Sequence, residues 1–418
     1  MFDVMSFISE LEKECTDFKK NLNGLETESQ IEIIKLACSN VYPEESIIEK
    51  MEQQKHDKKP LTVKFGIDPM NTNVLIDHMP PIVLLSKLQR MGYKIIFLMG
   101  DFTALIGDPS DKTTSQRKLN RKKIEANFKT LKESLSRFIE FTKTDAVFNS
   151  AWLNDLKLLD LVNIMKEIDI FLTLNREDFK KKLDSTSSIS YAELMYPLIM
   201  GIDSLQIGPD LELGREDQLG NLHMCRRLME VKEMEPEGIM ITHALPQGDS
   251  FAIDGDPQVI FKKIVKIDNS HVLMWYKLLT EITPATAIQL ERAIKEGHIN
   301  IQTVKEVLAK IIINKLYGKD KSELTYIEYI KDLVKTAPTK EIRMIPGSVM
   351  SIGEFIAAST DFTVTEAENI IVSGGARALS CDGGCLTFIL DSSADISTIY
   401  FDKFYIIMLD KLILRIRK

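Results

Sequence analysis

From Leu61 onward, apolar and polar positions fall into blocks of two different periods. Val63-Lys64-Phe65-Gly66-Ile67 is a short apolar segment stopped by Asp68-Pro69, the pattern of a buried strand and its exit loop. A helical stretch follows from about Pro81 to Met91. Tyr93 to Met99 is a second candidate strand, ending at Gly100-Asp101. Strand, helix and strand in this order predict a βαβ unit and a parallel sheet. Ligands of such sheets sit at the carboxyl ends of the strands. Here those ends are the Gly66–His78 and Gly100–Ser110 loops.

Upstream, residues 1–60 read as a charged helical arm. Ile31, Ile33, Ile34, Leu36 and Ala37 give it an amphipathic turn or two, and the lysine-rich stretch Gln53–Lys59 stops at Pro60. Downstream, Lys118 to about Glu140 reads as one long charged helix, and helices alternate with loops up to Asp203. Residues 207–221 suggest a strand leaving into a polar loop. Residues 271 to about 340 are helix-like, with no strand signal. Near the C-terminus, β-prone runs at Cys385–Leu390 and Phe404–Leu409 alternate with Gly-Gly pairs at 374–375 and 383–384. The expected organisation is an N-terminal arm (1–60), an α/β domain (61–270), a helical domain (271–343) and a small α+β module (344–418).

Composition narrows the class. Of 418 residues, 44% are apolar and 27% charged, which fits a globular chain large enough for more than one core. No apolar run approaches the length of a membrane span. Met1-Phe2-Asp3-Val4 has no basic leader, so a secretory signal is not expected. The five cysteines are odd in number and have no Cys-x-x-Cys spacing. A disulfide framework or zinc ribbon is therefore not expected, and a reducing cytoplasm is. The net charge of −8 argues against a surface that binds nucleic acid throughout, while leaving room for a local basic patch.

The motifs carry more. Gly66-Ile67-Asp68-Pro69 through His78, and Gly100-Asp101-Phe102-Thr103-Ala104-Leu105-Ile106-Gly107-Asp108-Pro109-Ser110, resemble the long bacterial form of tyrosyl-tRNA synthetase, a class I aminoacyl-tRNA synthetase. The resemblance continues through Phe148–Leu153, Tyr196–Met200 and Glu212–Gln218, and Ile345–Lys418 is similar to the family's S4-like RNA-binding module. It implies a Rossmann catalytic domain, a helical anticodon-binding domain, the S4-like tail, a homodimer, and activation of tyrosine by ATP before transfer to tRNA.

By the same resemblance, the substrate ammonium meets a Tyr, a Gln one helical turn later and an Asp, while a second Asp accepts from the phenol. The matching residues are Tyr196, Met200, Asp108 and Asp203. Spacings of 4 and 7 put Tyr196, Met200 and Asp203 on one helical face. Met200 has no amide to offer, because a thioether is only a weak acceptor. Thr103 and Gln218 match further pocket positions. Lys64, Gly66, Asp68 and Asp217 fall in the same blocks and are assigned to substrate binding with them.

The nucleotide signatures depart from the family. The His-x-Gly-His tetrad is Leu75-Ile76-Asp77-His78. The Lys-Met-Ser-Lys-Ser loop, whose lysines stabilise the leaving pyrophosphate, should lie between Pro246 and Pro257. Gln247–Asp256 instead holds no Lys or Arg and three Asp. The Gly-Gly-Thr-Asp-Gln loop reads Gly214-Arg215-Glu216-Asp217-Gln218. Lys112 persists after Ser110, but the preceding Gly is Asp111. The RNA side departs too: the family's Ala-Arg-Arg-Leu-Ile helix is Ala367-Glu368-Asn369-Ile370-Ile371. From Met344 to Tyr400 there are seven acidic residues and one basic residue, Arg377. Phosphate contacts need Lys and Arg, so this composition argues against tRNA binding, although Lys411, Arg415, Arg417 and Lys418 recover some positive charge.

Three readings follow. The first is a repurposed enzyme that binds an amino acid or derivative without adenylation, with His78, Asp77, Arg215 and Glu216 as new acid, base or anion-binding groups. The second is a noncatalytic ligand-binding or regulatory paralogue. The third is an active tyrosine–tRNA ligase with unusual motifs. No cofactor or metal is expected, except ATP under the third reading.

Overall fold

The computed structural model describes residues 2–68, 73–106, 121–185, 189–246, 250–343, 350–380, 386–389, 391–396, 405–409 and 412–417. Its contacts divide the chain into two compact units. One comprises Lys19–Leu245 with Ala252–Asp254. The other comprises Met1–Phe18, Pro246–Phe251 and Gly255–Lys418.

The first unit is built on a six-stranded sheet of β1 (Cys38–Tyr42), β2 (Thr62–Ile67), β3 (Lys94–Met99), β4 (Thr144–Phe148), β5 (Leu211–Arg215) and β6 (Gly238–Thr242), in the order β1-β6-β5-β2-β3-β4. All neighbours are parallel except β1 and β6. Strands buried on both faces read as continuous apolar runs: β6 is buried throughout, and β3 at every residue but Lys94. Pro80 and Pro81 suit the first turn of the helix Met79–Arg90, which buries Ile82, Leu84, Leu85 and Leu88. The helices Tyr191–Ile207 and Leu219–Val231 pack together at Gly201, where a Cβ would meet the Leu228 side chain at 3.3 Å and the Cys225 backbone at 3.6 Å. The strand order reverses between β2 and β5, which opens the crevice where ligands of parallel sheets bind.

The second unit surrounds the helix Ile301–Tyr317, whose Val304, Leu308, Ile311 and Ile313 are essentially inaccessible. Such all-round burial marks a central helix. The C-terminal sheet consists of β7 (Thr339–Arg343), β8 (Ala376–Ser380), β9 (Leu386–Phe388), β10 (Tyr405–Leu409) and β11 (Leu412–Arg417), in the order β7-β11-β10-β8-β9. The helices Ile352–Ser359 and Val364–Val372 accompany it. Each starts with a capping box, Ser351 with Glu354 and Thr363 with Glu366. Arg377 on β8 is 3% exposed and forms an ion pair with the buried Glu306 of the central helix. It also donates to Tyr326 Oη at 3.0 Å and Thr303 Oγ1 at 3.1 Å.

Three strands depart from the sequence expectation. β1 lies in the stretch read as helical, β4 where helices and loops were expected, and β7 begins where no strand signal was read. β1 is held by β6, about two hundred residues away, and no local periodicity reports such pairing. β7, Thr-Lys-Glu-Ile-Arg, is a charged sheet-edge strand, and charge is a usual protection for an edge.

The Arg377 contact predicts a large mutational effect. Arg377→Met leaves the Glu306 carboxylate buried and uncompensated, and should destabilise this unit by about 3–5 kcal/mol. The double variant Arg377→Met, Glu306→Met should recover much of that loss. Thermal melting together with hydrogen exchange across residues 350–380 measures both.

Candidate functional site

A cavity of about 160 Å³ opens at the carboxyl ends of β2, β3 and β5. Its walls include Gly66 and Asp68 after β2, Gly100 and Thr103 after β3, and Arg215 and Gln218 at the end of β5. The helix Tyr191–Ile207 contributes Tyr196, Met200 and Asp203, the 4-and-7 face expected from the sequence.

One chain of hydrogen bonds runs along this wall. Tyr196 Oη donates to Asp68 Oδ2 at 2.9 Å, and Thr103 Oγ1 donates to Asp68 Oδ1 at 2.7 Å. A Cβ at Gly100 would collide with both Asp68 Oδ1 and Thr103 Oγ1, so the absent side chain is what lets these two groups meet. Asn149 Nδ2 donates to Thr103 Oγ1 at 3.1 Å and to Asp203 Oδ2 at 3.2 Å. Its Oδ1 accepts from the Phe102 N–H at 2.9 Å, which fixes the orientation of the amide. Trp152 Nε1 completes the chain by donating to Asp203 Oδ1 at 2.8 Å.

Burial pushes the Asp203 carboxyl up to about 6, against the opposing pull of Lys64, Trp152 and Asn149. Lys64 itself lies outside the cavity wall and is wholly buried on β2. Its Nζ is 2.9 Å from Glu212 Oε1 and donates to Ser204 Oγ, on the residue next to Asp203.

The remaining expected site residues separate. His78 lines the cavity, and its Nδ1 accepts from the Leu75 N–H at 3.3 Å. Asp77, its neighbour in sequence, is exposed and is not in the wall, so the two do not converge there. Arg215 lines the cavity with its guanidinium held by both carboxylate oxygens of Asp217. Gln218 Oε1 accepts from the Arg215 N–H at 3.2 Å. Glu216 lies outside the wall, half-exposed, with Oε1 4.0 Å from His243 Nδ1. Asp108, Asp111, Lys112 and Gln247–Asp249 lie outside the described residues.

Sequence reasoning gave no role to Asn149, Trp152, Asn73, Leu131 or Leu135. Leu131 and Leu135 stand one turn apart on the helix Arg121–Leu135, whose apolar stripe also holds Ile124 and Phe128, and both line the cavity. That i, i+4 apolar pair was the available signal.

Asp203 also sets a pH dependence. The folded protein holds its proton up to about pH 6, whereas an ordinary aspartate loses it near 3.8. The fold is therefore favoured by protonation, and this contribution is lost as the pH rises from about 4 to 6. At about 1.4 kcal/mol per unit, Asp203→Asn should remove a slope worth roughly 3 kcal/mol. Urea melts of both proteins between pH 4 and 7 read this as a difference that drifts with pH and levels off above 6.

Comparison with known proteins is consistent along the chain. The family "tRNA synthetases class I (W and Y)" matches residues 55–331. A tyrosine–tRNA ligase of Carboxydothermus hydrogenoformans is 30% identical over 397 residues, covering 90% of this chain and 97% of its own. One from Haemophilus ducreyi is 32% identical over 321 residues, covering 74% and 80%. Among solved structures, a C-terminally truncated mitochondrial tyrosyl-tRNA synthetase of Aspergillus nidulans superposes with a TM-score of 0.62 at 17% identity, over 78% of this chain and 99% of its own. The tyrosyl-tRNA synthetase of Archaeoglobus fulgidus, solved with L-tyrosine, gives 0.57 at 17% identity over 71% and 99%. These structural likenesses speak to fold alone. Among the described residues, no helix is long and apolar enough to cross a membrane. With a parallel sheet whose crevice lies at its switch point and this agreement over most of its length, the chain has the class I synthetase fold and belongs to the tyrosyl-tRNA synthetase family.

Proposed function

We propose that the cavity binds an amino acid or a close derivative, and that this family member does not activate its ligand with ATP in the family's manner. The observation that carries the reading is an imbalance across the site. On the amino-acid side, the partly buried relay from Tyr196 through Asp68, Thr103 and Asn149 to Asp203 and Trp152 is unbroken. On the nucleotide side, the position matching a family Gly carries Arg215, a large side chain in the cavity wall paired with Asp217. Leu75 and Asp77 replace the first His and the Gly of the tetrad, and Gln247–Asp256 contains no cation. His78 and Arg215 then serve as hydrogen-bonding and anion-recognising groups for the ligand, and no cofactor is needed.

The same reading extends to partners. Between Met344 and Tyr400 the one basic residue is Arg377, and it is spent on Glu306 inside the unit. This supports weak binding of tRNA by that module. Exposed apolar side chains gather at Leu158, Leu159, Val162, Met165, Ile170, Phe171 and Leu172. A patch of that kind on a chain of this family supports a homodimer. A cytoplasmic setting suits the buried cysteines Cys15, Cys38 and Cys225, which form no disulfide.

An active tyrosine–tRNA ligase is the second reading. It is favoured by relatives of that name that align over 90% and 74% of this chain.

Tyrosine-dependent ATP–pyrophosphate exchange at high enzyme concentration separates the two. We expect exchange no greater than without tyrosine, and robust exchange would establish the ligase. Thermal-shift measurements across the amino acids should find at least one that raises the melting temperature, because a ligand bound only by the folded state stabilises it. No shift with any amino acid would remove the ligand reading. For assembly, light scattering should report a dimer for the native chain and a monomer for Leu159→Glu, Phe171→Glu.

A further inference from the structure

Beneath the cavity, five polar side chains meet where no water reaches. Lys64 on β2 stands opposite Glu212 on β5 in the parallel register. The Lys64 ammonium contacts Glu212 Oε1 and Ser204 Oγ, and Ser204 Oγ donates to Glu237 Oε1 at 3.0 Å. Each carboxylate thus commits its Oε1 to this ring. Oε2 of Glu212 and Oε2 of Glu237 are both buried and meet no donor from any other residue, and the two carboxyls lie close enough to share a proton. Cys225, on the helix Leu219–Val231, is wholly buried beside them. Its Sγ and one carboxylate oxygen from each glutamate lie within 4.8 Å of one another.

An unpaired carboxylate oxygen in a dry interior is expensive, and two in one place demand a shared partner, either a proton or a cation. We propose that Glu212, Cys225 and Glu237 hold a divalent transition-metal ion, zinc by their chemistry, in a closed structural site under the sheet. Two carboxylates and a thiolate are a donor set that zinc accepts, and the fourth bond falls to Oε1 of Glu237, through the lone pair that its single hydrogen bond from Ser204 leaves open. The surroundings match those of ligating carboxylates, whose other oxygens are held by outer donors: Lys64 does this for Glu212, and Ser204 for Glu237.

The charges also close. The ion and the Lys64 ammonium together match the three anionic ligands. The site stands apart from the ligand reading of the cavity, since none of its three ligands lines the cavity wall.

The experiment uses the full chain, produced in zinc-supplemented medium and purified without chelator. Mass-spectrometric metal analysis should find about one zinc per chain, the stoichiometry of a single structural site. Protein produced with cobalt should show a thiolate-to-cobalt charge-transfer absorption. Cys225→Ser should lose that absorption, and Glu237→Gln should lose most of the bound metal, each while keeping native circular dichroism. Folded wild-type protein with less than about a tenth of an equivalent of metal and no cobalt band would overturn the site, leaving a proton shared by the two carboxyls. Metal retained equally by both variants would place it elsewhere and overturn the site as well.

Discussion

A lysine ammonium with no water around it must be neutralised, or the fold that buries it does not form. Lys64 sits at the centre of β2, in the middle of the parallel sheet, with 0% of its surface exposed. Its partner Glu212 lies directly opposite on β5, so the ion pair reports correct strand register. A slip of one residue would turn Lys64 to the other face and strand both charges. The Ser204 hydroxyl ties the same ammonium to the helix that carries Tyr196, Met200 and Asp203. Sheet register, helix placement and cavity wall therefore depend on one buried cation.

The consequence reaches the site through Asp203. That carboxylate is 2% exposed and would be neutral over a wider pH range without the nearby Lys64 charge and the Trp152 and Asn149 donors. Its two oxygens already accept one protein hydrogen bond each, leaving a lone pair on each for a ligand donor. At the other end of the relay, Asp68 is held by Tyr196 and Thr103. The wall thus presents two oriented carboxylates joined through Thr103 and Asn149.

Much of this was legible in the sequence because it is local. The βαβ unit, the strand bounds near Val63–Ile67 and Lys94–Met99, and the 4-and-7 spacing of Tyr196, Met200 and Asp203 all follow from periodicity and turn residues. What escaped depends on distant partners. β1 becomes a strand only because β6 is beside it. Lys64 reads as a polar interruption of an apolar run until Glu212 is seen opposite. Adjacency in sequence misled in the other direction: Asp77 and His78 are neighbours in the chain, but only His78 reaches the cavity. The Arg215–Asp217 pair was likewise invisible, since nothing in Gly214–Gln218 says that the arginine folds back on its own loop.

The placement of charge separates the two units more sharply than their folds do. In each, a buried cation on a strand meets a buried glutamate: Lys64 with Glu212, and Arg377 with Glu306. The guanidinium binds Glu306, Tyr326 and Thr303 at once, using its planar fork to tie β8 to the two helices Ile301–Tyr317 and Lys319–Thr336. The ammonium, a compact point charge, makes a smaller ring and shares its carboxylates with a cysteine. Asp77, Glu368 and three residues of Gln247–Asp256 are acidic, while the cations Lys64 and Arg377 are turned inward. An acidic protein can still bind polyanions if its exposed faces stay basic. Spending Arg377 on Glu306 removes the one basic side chain that Met344–Tyr400 could have offered for that purpose.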